Sequence, residues 1–191
     1  MNHGAQSFVD GNGFIDAGSG DISIWSAGSS TGEEAYSIAF NVEEFNANST
    51  KKIRYNILGT DISSIAVKTA NTGIYNASKT HNIPEKLKKK YLLKSKSPEK
   101  NLVRIAPEIR KKVNFLRLNL NNDKYSIHSD FDIVFCRNTL IYFSPQTQKS
   151  IVKKLIDHLK PMGYLFIGHS ESLFHLNLDL KALRPTIYQK P

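Results

Sequence analysis

Between residues 22 and 45 the chain reads ISIWSAGSSTGEEAYSIAFNVEEF, and this stretch restricts the fold more than any other. Ile22, Ile24 and Trp25 make a short apolar run, residues 26–32 are all small, and Ala35, Ile38, Ala39, Val42 and Phe45 then recur at helical spacing. The pattern predicts a strand, a tight loop and a helix. A loop with so little side-chain bulk lets a ligand reach the backbone, and the first N–H groups of the following helix point at whatever lies there. Thr31, Gly32, Glu33 and Glu34 fit a capping box, with Thr31 as N-cap and Glu34 reaching back to it. On these residues two readings stay open: a loop that receives a ligand, or a strand-to-helix turn that binds nothing.

At 191 residues the chain suffices for one α/β domain with a real core. Its 26 Lys and Arg against 17 Asp and Glu leave a net charge of +9, which favours an acidic partner without choosing among nucleic acid, anionic lipid and protein. Cys136 is the only cysteine, so a reducing cytoplasm is the expected setting and a buried small hydrophobe the expected role. No apolar run approaches the ~20 residues that span a bilayer, and the N-terminus lacks a signal peptide's basic-then-apolar order. A soluble protein without membrane insertion is therefore expected. Five of the eleven glycines fall within residues 1–20 without periodicity, which predicts a flexible tail there and a folded domain over 21–191.

Tyr55, Ile57 and Leu58 lead a second strand that stops at Thr60 and Asp61, and Ser63 or Ser64 is placed to cap a short helix closed by Gly73. In an open parallel sheet a ligand lies outside the carboxyl ends of the strands, where an acid on the second strand accepts bonds from ribose hydroxyls; Asp61 stands at that place. The plainer reading is an Asp that only ties the Ser63 turn. Residues 73–112 break the rhythm with a candidate strand over 102–105 and a run of Lys86, Lys88, Lys89, Lys90, Lys94, Lys96 and Lys100, and are read as an inserted subdomain with a solvated basic face. Nucleic acid fits poorly, because Tyr91 is the run's only stacking aromatic and no arginine occurs in it before Arg104.

Residues 113–119 alternate as a strand, and 131–135 form an apolar run suited to a central buried strand. Asn119 follows the first, and Cys136, Arg137 and Asn138 follow the second, so these side chains would gather with Asp61 at one sheet edge. Each by itself reads more simply as a loop residue; their convergence is what points to a site. Ser144 and Pro145 open a helix with Ile151, Val152, Leu155, Ile156 and Leu159 as its buried stripe, ending at 160–163. Strands are expected over 164–168 and 186–189, with a loop over 173–180 before the second. No ordinary catalytic constellation emerges. Residues 168–172, GHSES, resemble a nucleophile elbow but carry Ser172 in place of the second glycine. The loop at Gly28 lacks a phosphate-loop lysine and the six histidines do not pair at metal-ligand spacing, so neither NTP hydrolysis nor a metal is expected.

The segments WSAGSSTGEEAYSIA, GTDIS at 59–63, TGIY at 72–75, FDIVFCRNTLIYF and LKPMGYLFIGHSESL resemble, in the same order, the chemotaxis receptor glutamate methyltransferases, the CheR family, over about residues 22–191. The resemblance implies a class I S-adenosylmethionine-dependent methyltransferase: an α/β fold with a Rossmann-like sheet, helices on both faces and a small β-subdomain inserted at about 73–112. It implies S-adenosyl-L-methionine as cofactor and S-adenosyl-L-homocysteine as product. Positions matching the family's cofactor contacts are Ala27, Gly28, Glu34, Asp61 toward the ribose, Asn119 and Leu120 near the adenine, and Arg137 with Asn138. Tyr142 matches the tyrosine beside the transferring methyl, the one catalytic position; a half-buried aromatic next to Phe143 is the simpler reading. Glu34 is wanted both for capping and for the cofactor, and the cofactor role is preferred.

The implied partners are methyl-accepting chemotaxis receptors, whose Glu-rich helices suit the basic excess and whose C-terminal peptide can join the insert as an added strand. Family members begin with a helical domain and a segment that closes over the cofactor; residues 7–10, SFVD, only faintly resemble its FFRD, with Val9 in the arginine's place. Two functions follow: a receptor glutamate O-methyltransferase, or a noncatalytic relative that keeps the fold and binds cofactor or receptor. A nucleic-acid methyltransferase, suggested by charge alone, lacks the (D/N)PPY motif.

Overall fold

Apolar runs separated by glycine and small-residue turns give strands that alternate with helices, and the computed structural model describes them over residues 22–127 and 130–191. In chain order they are β1 (Ile22–Ala27), α1 (Glu33–Asn48), β2 (Tyr55–Asp61), α2 (Ser64–Thr72), β3 (Ile74–Asn76), α3 (Glu85–Tyr91), β4 (Leu92–Lys94), β5 (Leu102–Ile105), α4 (Pro107–Arg110), β6 (Val113–Arg117), β7 (Phe131–Cys136), α5 (Pro145–Asp157), β8 (Leu159–Ile167), β9 (Lys181–Arg184) and β10 (Ile187–Gln189). Seven strands form one sheet in the order β6-β2-β1-β7-β8-β10-β9. The strands β6, β2, β1, β7 and β8 are parallel, and β10 is antiparallel to both of its neighbours. The chain works outward from β1 through β2 to β6, then returns to lay β7 on the other side of β1. The switch point therefore falls between β1 and β7, whose carboxyl ends open onto the same edge.

Strand periodicity divides the core into two layers. Trp25 and Ala27 of β1 and Val134 and Cys136 of β7 face Ile151, Val152 and Leu155 of α5. Ile24, Ile57, Val113 and Phe115 face the opposite way, against Ala35, Tyr36, Ala39 and Phe40 of α1. Trp25 is fully buried against Phe131, with ring centroids 5.3 Å apart, and its indole N–H donates to Thr60 Oγ1 at 2.9 Å. The large apolar ring thus has its one polar atom satisfied, and truncation to alanine would cost about 3–5 kcal/mol.

The expected β1, α1, β2, α2, β5, β6, β7 and α5 are all present. Ser63 Oγ accepts the Ala66 N–H at 3.2 Å, and Gly73, at φ 61°, closes α2. Residues 73–112 hold a small antiparallel sheet of order β3-β5-β4, and Lys86, Lys89 and Lys90 of α3 are exposed, as a solvated basic face requires. Among the described residues no helix is long and apolar enough to cross a membrane.

Several expectations give way. The capping box does not form: the N-cap is Gly32 at φ 92°, a backbone unfavourable to threonine, while the Thr31 hydroxyl donates to Glu33 and Glu34 turns elsewhere. Helix α5 stops at Asp157, and residues 160–163 belong to β8, which bulges opposite Phe131 and Ile133 with Met162 at φ 64°. Leu159 accordingly opens a strand rather than closing a helical stripe. Strand β9 leaves no signal in the sequence, because all four of its residues are exposed at the sheet edge and show no apolar alternation. The tail expected over 1–20 lies outside the described residues.

Candidate functional site

Strand β1 ends in the buried Ala27 and turns at once. Gly28 has φ 82°, and its N–H and that of Ser29 both donate to Thr60 O at 2.8 Å. A Cβ on Gly28 would lie 2.4 Å from Thr139 Oγ1, so the bare glycine is what lets this loop nest against the one after β7. Ser30 gives its N–H to Asp61 Oδ2 and Ser63 gives its N–H to Asp61 Oδ1, each at 2.9 Å. Asp61 thus ties its own turn, as the plainer reading had it, and also ties the glycine loop. Each carboxylate oxygen has further acceptor capacity for a hydroxyl.

On the other side of β1, Glu34 in the first turn of α1 accepts from Ser26 Oγ at 2.8 Å and from Arg137 Nη1 at 3.2 Å. Ser26 is fully buried, which anchors one carboxylate oxygen, while the Arg137 side chain is 41 % exposed. Neighbouring strands lie ~4.8 Å apart, so the ends of β2 and β7, flanking β1, are separated by roughly 10 Å, a span suited to a nucleoside. Cys136, just before Arg137, is buried filler; burial pushes its thiol well above the usual range. Asn138 sits in the left-handed region at φ 55°.

The Leu118 N–H donates to Asp61 O at 2.9 Å, which draws Asn119 to the same edge. Asn119 Oδ1 accepts the Asn121 N–H at 2.9 Å in a local turn, and Leu120 is buried with its carbonyl accepting from Tyr125 Oη at 2.6 Å. Ile62, Arg117, Leu118 and Asn119 line part of a hollow of about 420 Å³. A larger hollow of about 640 Å³ starts at Glu34 and Arg137 but runs mainly along the apolar side chains of Ile38, Val42, Ile133 and Phe135, away from the strand ends. Tyr142 closes a single 3₁₀ turn (Leu140–Tyr142) and is 81 % exposed, not half-buried as the simpler reading had it; the neighbouring Phe143 takes the core position instead.

The strand ends therefore bring Ala27, Gly28, Glu34, Asp61, Asn119, Arg137 and Asn138 to one sheet edge, while Leu120 is buried after Asn119 and Tyr142 is exposed beyond β7. Three participants were not singled out as site residues from the sequence. Ser26 anchors Glu34, Thr139 packs on Gly28, and Glu171 of the GHSES segment turns inward to bond backbone amides. Glu171 alone left a sign, as an acid set among small polar residues. Among the described residues no group of three or more His, Cys, Asp or Glu is disposed to hold a metal ion.

Residues 12–188 match the family described as CheR methyltransferase, SAM binding domain. The chain belongs to this family. The chemotaxis protein methyltransferase of Escherichia coli (strain K12) is 36% identical to the CheR domain over 170 residues, covering 89% of this chain and 59% of that protein. Its counterpart in Borreliella burgdorferi is 38% identical with the same coverage. The CheR domain thus spans about 59% of the length of these curated relatives. Among solved structures, a TehB-like SAM-dependent methyltransferase from Corynebacterium glutamicum superposes with a TM-score of 0.49 at 12% identity, covering 90% of this chain and 79% of that one. The cofactor of the CheR domain is S-adenosylmethionine, and the α/β sheet with its switch point at β1 and β7 is the class I architecture expected for it.

Proposed function

We propose that this chain is a protein-glutamate O-methyltransferase that transfers the methyl group of S-adenosylmethionine to glutamate side chains of chemotaxis receptors, giving methyl esters. One observation supports it: at the switch point the Gly28 loop is tied to Asp61 on one side of β1 and packs on Thr139, two residues beyond the Arg137 that pairs with Glu34, on the other. The residues present fit the cofactor. Gly28 lets its loop close directly onto Thr139 at the head of β1, Asp61 has acceptor capacity for ribose hydroxyls, and the hollow lined by Ile62 and Asn119 would take the adenine. Glu34 and Arg137 offer one charge of each sign to the zwitterionic amino-acid arm, with Ala27 and Asn138 framing it.

S-adenosylmethionine supplies a methyl group already activated on a sulfonium. A receptor glutamate is ionised near neutral pH, so no side chain of this protein has to remove a proton. What the chain contributes is alignment and the exclusion of water around the incoming carboxylate. The exposed Tyr142 hydroxyl is available to orient that carboxylate. We read 21–191 as one methyltransferase domain working in a reducing cytoplasm, with residues 73–112 as its receptor-docking insert. In that small sheet β3 and β4 are both edge strands, and the exposed Ile74 and Leu93 lie beside Lys94 and Arg104, a surface suited to adding an acidic receptor peptide as a strand.

Incubation with receptor and methyl-tritiated S-adenosylmethionine tests the function. The expected product is a protein label that base releases as volatile methanol; its absence contradicts transfer. If calorimetry still records S-adenosylhomocysteine binding in that case, the noncatalytic reading stands. Absence of heat as well overturns cofactor binding in both readings and leaves a noncatalytic relative that binds receptor alone.

A further inference from the structure

Glu171 is the only charged residue among the buried positions described, at 8% exposure, and a charge is not withdrawn from water without compensation. Its compensation is complete. Oε1 accepts the N–H groups of Thr139 at 2.9 Å and Leu140 at 2.7 Å, and Oε2 accepts those of Asn138 at 3.1 Å and Gly168 at 2.6 Å. Three consecutive amides turned toward one anion form a nest, a backbone shape that calls for a left-handed residue, and Asn138 supplies it at φ 55°. Gly168 is as closely fitted: a Cβ there would lie 2.7 Å from Glu171 Oε2 and 2.9 Å from the Asn138 nitrogen.

We infer that Glu171 is a positioning residue that shapes the loop over 137–142, and through it the placing of Arg137, Asn138 and Tyr142. A carboxylate that merely joined two strands would draw its donors from the strands. Here three of the four donors belong to the loop that carries those three side chains, and only the Gly168 amide comes from the end of β8. Glu171 itself touches neither cofactor nor acceptor in this scheme, which rests on the cofactor crevice proposed for the family's S-adenosylmethionine.

Glu171→Gln tests this at constant size. Whichever way the new amide is turned, its NH₂ faces two of the four backbone N–H groups. Gly168→Ala is the second variant, displacing the carboxylate without removing it. In the 191-residue chain, amide hydrogen exchange at Asn138, Thr139, Leu140 and Gly168 is compared with that of β1, alongside calorimetry with S-adenosylhomocysteine and separate KM and kcat values for methyl transfer.

The four amides should be protected in the parent and exchange at least ~10-fold faster in Glu171→Gln, with β1 unchanged. Misplacing the loop by about 1 Å should weaken S-adenosylhomocysteine binding and lower kcat by up to ~100-fold. Gly168→Ala should do likewise, and the double variant should be little worse than the poorer single one. A folded Glu171→Gln protein with opened amides but parental affinity, KM and kcat overturns the inference, as do unprotected amides in the parent. Protected amides in a parent that binds no S-adenosylhomocysteine fault the cofactor crevice, and with it the positioning role, while leaving the clamp itself standing. If Glu171→Gln does not fold, Gly168→Ala carries the same readouts.

Discussion

The loop after β1 and the loop after β7 pack directly on each other, Gly28 against Thr139, yet opposite means hold them in shape. The first loop takes its turns from its own glycines, Gly28 at φ 82° and Gly32 at φ 92°, and is buckled to the end of β2 by Thr60 and Asp61. The second has no glycine between Arg137 and Phe143 and takes its shape from Glu171, 31 to 33 positions away along the chain. A glycine loop is intolerant of side chains; a loop shaped by a borrowed carboxylate tolerates local substitution and fails when that distant support is removed.

Substitution in the glycine loop should have the largest effect. Gly28→Ala adds a left-handed alanine costing about 1–3 kcal/mol and a clash with Thr139, so calorimetry should find S-adenosylhomocysteine binding lost. Adding Thr139→Ala removes the atoms 2.4 and 3.0 Å from the new Cβ and should recover the clash but not the backbone cost. If the double variant recovers nothing, the two loops do not meet as described.

Asp61→Asn comes next. An amide can accept only one of the two backbone bonds from Ser30 and Ser63, and the unmet donor should cost about 1–3 kcal/mol in denaturant unfolding. Unchanged stability would mean that the glycine loop needs no buckle. Arg137→Gln should separate binding from folding. Its pair with Glu34 is partly exposed, so stability should fall by no more than about 0.2–1 kcal/mol, while S-adenosylhomocysteine affinity should drop about tenfold, some 1.4 kcal/mol. The smallest effect is expected at Asn138→Gly, which suits the left-handed backbone and should shift stability by less than ~1 kcal/mol. A larger loss would show that the Asn138 side chain, rather than Glu171, holds the second loop.

The same contrast explains what could be read in advance. Apolar runs exposed β1, β2, β6 and β7, and a parallel arrangement of those strands then carries Gly28, Asp61, Asn119 and Arg137 to one edge. The helix start is not legible at Thr31, because the chain puts Gly32, not Thr31, at the cap, where a Cβ would lie 2.8 Å from Ala70 and Phe115, residues 38 and 83 positions on. Glu34 likewise looks like a cap until Ser26 and Arg137 are folded around it. Strands β3 and β4, three residues each, are too short to show a period, and Glu171 bonds to amides that leave no mark in side-chain chemistry.

The most direct measurement is a backbone amide chemical-shift map of the chain titrated with S-adenosylhomocysteine. The crevice requires saturable shifts at Gly28, Ser30, Ile62, Asn119, Arg137 and Asn138, with Ile74 and Leu93 of the small sheet unmoved. Shifts confined to the apolar hollow along Val42 and Ile133, or none at saturating ligand, would contradict it.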